Sequence, residues 1–184
     1  PWIADEADAM IIQAREFDSW APNVIVKLPV TEAGLAALEA CVAHGINIVA
    51  TVSFSLPQAL AVGEAHRRGS QAAREAGRTP GRCYAVIMLG RLDDHLKRVA
   101  DGVSEESIDQ AAIAVAKRAR SLFAERGYEA TILPSGMRHA GHVTELAGGD
   151  FVYSISPAMA AELAASDAPR EVRVDTPVDG ATIE

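Results

Sequence analysis

Five short, mostly apolar runs, each followed by a segment of helical periodicity, constrain this chain more than any other feature. The runs fall at residues 24–28, 46–54, 83–89, 129–133 and 150–155. Near-continuous apolar runs of this length suit strands buried in a parallel sheet. Between them, residues 3–20 place Ala7, Met10, Ile11 and Ala14 on one helical stripe. Thr31, with Glu32 behind it, starts a second helix that Gly45 ends. Ser55 and Pro57 open a third, reaching about residue 76. Helical segments follow at 92–100, at 105–126 behind the capping Ser104, at 139–147, and from Ser156-Pro157 onward. Five strand–helix units in succession predict an α/β fold with a parallel sheet, either doubly wound or closed as a barrel. In both architectures the site lies at the C-terminal ends of the strands. Polar residues cluster there: Thr31, Ser53, Ser55, Arg91, Ser135 and Arg138.

Composition narrows the functional classes. It is uniform over 184 residues and predicts a single domain, 1–184, with 167–184 as a tail rich in Pro and charge. That tail is irregular or carries one edge strand at 171–175. The net charge is −8 and Lys/Arg residues form only short pairs, which argues against a nucleic-acid or anionic-membrane surface. One or two arginines still suffice to hold a small anion. Cys41 and Cys83 are expected as buried free thiols. No stretch is long and apolar enough to span a bilayer. Residues 1–10 lack the pattern of a secretory signal, so a cytoplasmic protein is expected. The chain opens at Pro1 rather than Met and enters a helical pattern almost at once, so an upstream segment is expected.

Among the three lysines, Lys97 and Lys117 sit in polar helical surroundings, where solvation explains them. Lys27 sits among Val, Ile and Leu. An ammonium there loses hydration, and a lysine with depressed pKa is an amine nucleophile toward carbonyl carbon. The plain alternative is a strand-end lysine that snorkels to solvent. Arg91 and Arg138 follow successive strands and together suit one phosphate, although two ordinary surface arginines would look the same. Thr51, inside a strand, needs no functional reason on its own. His139, His142 and Glu145 have spacing that suits a metal, without the fuller motif of a zinc enzyme. His44, His66 and His95 are expected to be solvated helix residues. No Walker loop, GxSxG or GxGxxG occurs.

The stretch NVIVKLPVTEAGLAALEACVAHGINIVATVSFSLPQAL resembles the signature region of the transaldolase family. Lys27, Thr31, Gly34, Gly45, Ile46, Asn47, Thr51, Phe54, Ser55, Gln58 and Ala59 fall in its register without a gap. Gly90-Arg91 matches the glycine-arginine after the next strand, and SGMRHAGHVTELAGGDFVYSISPAM resembles the later serine-x-arginine turn and its sequel. The resemblance runs to about Leu163. Three positions depart from it: Val86-Ile87-Met88-Leu89 stands for a serine-proline-phenylalanine type stretch, Gly136 for a serine found one place earlier here as Ser135, and Val49 for an asparagine.

The resemblance implies a (β/α)8 barrel of which this chain supplies strands four to eight. It implies an aldolase-type transferase of carbohydrate metabolism and the pentose phosphate pathway. In it Lys27 forms a Schiff base with a ketose phosphate, and a three-carbon dihydroxyacetone unit is transferred or released. Thr51 would position water or base for proton transfer, and Arg91, Arg138 and Ser135 would hold the phosphate. No metal or other cofactor is implied. The family's aspartate, asparagine and glutamate belong to the first three strands, so an N-terminal segment, or association with another chain, is expected. Homo-oligomerisation is expected too. A sugar-phosphate-binding or regulatory paralogue without turnover, or a fragment needing a partner segment, is the alternative.

Overall fold

In the computed structural model, residues 2–168 and 170–178 are described. Four strands form one parallel sheet in the order β1 (Val26–Pro29), β2 (Ile48–Thr51), β3 (Cys83–Met88) and β4 (Thr131–Ser135). Helices α1 (Ala7–Asp18), α2 (Glu32–Ala43), α3 (Leu56–Glu75), α4 (Leu89–Val99) and α5 (Glu105–Arg126) precede or link them. Short α6 (Gly141–Thr144) and α7 (Pro157–Ala165) follow β4. The topology is that of a partial (β/α) barrel.

Strand alternation gives the sheet two unlike faces. Val26, Leu28, Ile48, Ala50, Cys83, Ala85, Ile87 and Ile132 point the same way and are buried. They meet the helix layer, including Leu38 and Val42 of α2, Val62 of α3 and Ile113 of α5, all buried. Each buried Val, Leu or Ile among them contributes about 1.5–3 kcal/mol. The opposite face holds Lys27, Val49, Tyr84 and Thr131 in one row across all four strands. That row is only partly covered.

Local signals explain the helix starts. The Thr31 hydroxyl accepts from Gly34 N–H at 3.0 Å and donates to Ala4 O at 2.7 Å, so it caps α2 and ties the N-terminal segment to it. Such a cap contributes about 1 kcal/mol. A Cβ at Gly34 would collide with the Pro29 carbonyl, so the close turn from β1 into α2 needs glycine. Ser55 and Gln58 form a capping box at α3.

Three expectations are corrected. The fifth strand, at 150–155, is reduced to a single bridge between Ser135 and Ser154. Val152 N–H donates to Ile132 O and Ser154 N–H to Pro134 O, but Pro134 has no N–H to return, so the ladder stops. The helix at 139–147 shrinks to the single turn of α6, and turns continue to Gly148 at φ +87°. Of the two readings of the tail the irregular one is observed, with no strand at 171–175; Arg173 and Val174 N–H both bond Ala147 O, and Val174 is buried. Residues 179–184 lie outside the described residues. His66 is buried rather than solvated, its Nε2 lying 3.1 Å from Gly81 O.

Candidate active site

Lys27 lies mid-strand in β1 with its side chain exposed on the open sheet face. The expected burial is not observed. Its apolar neighbours Val26 and Leu28 point the other way, into the helix layer. The other two lysines are engaged: Lys97 pairs with Asp109 at 3.2 Å, and Lys117 with Glu145 at 3.5 Å and with the carbonyls of Arg173 and Thr176. Among the described residues, no carboxylate pairs with Lys27.

Thr51 ends the adjacent strand on the same face, beside Pro29, and is 9% exposed. Lys27, Thr31, Thr51 and Val52 line one partly open cavity of about 550 Å³, with Phe17 and Ile3 also on its wall. Val52 has φ +61°, a left-handed conformation that a β-branched residue adopts at a cost of about 1–3 kcal/mol. Backbone strain thus sits on the wall of the cavity that holds Lys27. Two clefts at the other end of the sheet, against Glu129 and Thr131, contain no lysine.

Arg91 and Arg138 come together through a shared carboxylate. Arg91 lies in the first turn of α4, which starts at once after β3 instead of after a loop. Arg138 follows the tight turn at Gly136, φ +64°. Its Nε and Nη2 donate to the two Asp94 oxygens at 3.2 and 2.7 Å, and its Nη1 to Gly136 O at 2.8 Å. Arg91 Nη1 lies 3.9 Å from Asp94 Oδ2. Hydrogen bonding to Arg138 holds the Asp94 carboxyl below its usual range, with Arg91 adding to the effect. A carboxylate between two guanidinium groups marks a position suited to an anion. Ser135 closes β4 and is half-buried beside the same turn.

Under that turn lies a buried Asp–His pair. Asp93 is 1% exposed and His142 0%. His142 Nδ1 accepts from Arg138 N–H at 3.2 Å, and Nε2 stands 2.8 Å from Asp93 Oδ2, off the ideal hydrogen-bond direction. His139 lies against His142, ring centroids 3.9 Å apart and planes tilted at 42°; burial, then the neighbouring imidazole, pushes its pKa down. Asp93, His139 and His142 offer three ligand atoms within 4.8 Å of one another, of types that zinc accepts. The acceptor role of Nδ1 opposes a metal there, because it leaves the ring proton on Nε2, the atom that would have to ligate. Glu145, expected beside these histidines, pairs instead with Arg173 at 2.7 Å. Asp93 and Asp94 were the site residues that sequence reasoning missed. Their signal was a doubled aspartate directly after Gly90-Arg91-Leu92.

The family model described as transaldolase/fructose-6-phosphate aldolase matches residues 1–182. The chain belongs to that family. Among curated relatives, a probable transaldolase 2 of Listeria monocytogenes is 32% identical over 145 residues, 79% of this chain and 54% of its own length. A probable transaldolase of Bacillus cereus is 33% identical over the same shares. One of Caulobacter vibrioides is 33% identical over 162 residues, 87% of this chain and 61% of its own length. The chain therefore spans little more than half the length of these transaldolase relatives. No described helix is long and apolar enough to cross a membrane.

Proposed function

We propose that this chain is the portion of a transaldolase-type enzyme that forms the Schiff base and binds the phosphate, acting on a ketose phosphate. The observation that carries the reading is Lys27, a lysine with no ion-pair partner among the described residues, in a cavity beside Thr51. Its amine adds to the ketose carbonyl, and the carbinolamine loses water to give an iminium. The base-assisted loss of a proton from the hydroxyl on the fourth carbon breaks the bond between carbons three and four. That bond's electron pair moves into the iminium, giving an enamine and a free aldehyde. The enamine adds to an acceptor aldehyde, or takes a proton, and water then frees the lysine. The protonated imine is the electron sink, so no metal or other cofactor enters these steps.

Thr51 would position the water of the carbinolamine and hydrolysis steps. Arg91, Arg138 and Ser135 would hold the phosphate. The base would come from the rest of the barrel, either in a longer native chain or supplied by an associating subunit, with 1–184 as one C-terminal domain. That covering segment would also desolvate Lys27, as an amine nucleophile requires. A cytoplasmic homo-oligomer of the pentose phosphate pathway fits this chemistry. A phosphate-binding paralogue without turnover is the second reading, favoured by the exposure of Lys27 in this chain.

The test is three-carbon transfer from fructose 6-phosphate to an aldehyde acceptor, measured with the full-length protein. Lys27→Ala should abolish turnover. Arg91→Ala or Arg138→Ala should raise KM about tenfold or more, the value of a charge-assisted contact, with a smaller effect on unphosphorylated donors. Phosphate binding without turnover in the full-length wild type would favour the second reading.

A further inference from the structure

The two arginines assigned to phosphate sit on different elements, and something must fix the distance between them. Arg91 belongs to α4, and Arg138 to the turn after β4. Asp93 and Asp94, adjacent on α4, reach Arg138 by separate routes. Asp94 holds the guanidinium directly, at 2.7 Å, on a partly exposed surface. Asp93 turns inward, and its carboxylate faces His142 Nε2 at 2.8 Å. His142 Nδ1 in turn accepts the Arg138 main-chain N–H.

We infer that the buried Asp93–His142 pair is a positioning device for the anion site, holding the Arg138 main chain at a fixed place relative to Arg91. The inference rests on the phosphate reading of these arginines and adds two residues to it.

Three features carry it. Both partners are fully buried, where an ionisable pair is retained only at a desolvation cost that apolar residues would avoid. The ring links two elements, since one nitrogen faces α4 and the other the 135–138 turn. The turn is also in direct contact with α4 beside the pair: a Cβ on Gly90 would strike the Gly136 carbonyl and lie 2.6 Å from Arg138 Cγ. A bidentate or paired arginine site loses much of its hold when its parts shift by an ångström. Asp94 cannot substitute for this link, because it holds the end of a flexible side chain, and an incoming anion competes for the same donors.

The two ring nitrogens have separable roles, which gives a test that volume alone does not satisfy. His142→Asn places an oxygen near the Nδ1 position and keeps an acceptor for Arg138 N–H. His142→Leu fills the site but offers none. The probe is inorganic phosphate, then fructose 6-phosphate, titrated into the isotope-labelled full chain while the Arg138 and Arg91 amide resonances are followed. In the wild type, His142 should show the tautomer with its proton on Nε2. His142→Leu should bind phosphate about tenfold more weakly, and His142→Asn, which keeps the acceptor for Arg138 N–H but lacks the nitrogen that faces Asp93, about threefold more weakly. Protection of the Arg138 amide from exchange should follow the same order. A packing role predicts the reverse order, with Leu tolerated and Asn damaging, and that result would overturn the inference. So would a His142 proton on Nδ1. Arg138→Ala separates the two failures. If it leaves phosphate binding unchanged, or the wild type binds none, the phosphate reading itself fails and the inference falls with it.

Discussion

Burial pushes the imidazoles of His66 and His139 below the ordinary value of 6.5. The unfolded chain takes up these protons near pH 6.5, and the folded chain only at lower pH. Between those values the unfolded state binds more protons, so stability present above pH 6.5 is lost as pH falls. The urea midpoint should therefore be lower at pH 5.5 than at pH 7.5. His66→Gln should flatten that dependence. An unchanged midpoint across the range would contradict the assignment. The burial of His66 was not legible in its helical spacing. It comes from the irregular segment at residues 78–82, which brings the Gly81 carbonyl to 3.1 Å from His66 Nε2. Lys27 was legible as an outlier among apolar residues, but its exposure was not. A run of Val, Ile and Leu does not say which sheet face lacks a cover.

At the scale of elements, α4 and the turn after β4 are packed together, and Gly90 is one of the contacts between them. An added Cβ there meets main-chain carbonyl oxygen at Gly136, which has no rotamer by which to move away. Gly90→Ala should cost about 1–3 kcal/mol and weaken phosphate binding together with stability, read by thermal melting and by titration. A variant with wild-type melting and affinity would show that the two elements are not coupled there. Caps and terminators made α2, α3 and α5 legible. Thr31, Ser55 and Ser104 all stand where the helices begin. The strand expected at 150–155 failed because Pro134, on the neighbouring strand, removes a donor that no feature of that run discloses. Arg91 and Arg138 each follow a strand in the sequence, and both lie near Asp94 in the fold. The carboxylate that unites them needed three-dimensional placement, since Asp94 lies 44 positions before Arg138.

Over the whole molecule, one sheet face is sealed by helices and the other carries Lys27 in the open. The chain covers 54% of the length of one transaldolase relative, and under the proposed function it would supply one wall of the site. The central claim concerns the chemistry of that wall. It is tested most directly by borohydride reduction of the full-length protein in the presence of fructose 6-phosphate or dihydroxyacetone, followed by intact mass and peptide mapping. The account predicts one reduced three- or six-carbon adduct on the peptide containing Lys27, absent in Lys27→Ala. An adduct on Lys97 or Lys117 instead, or no adduct on the full-length protein, would contradict it.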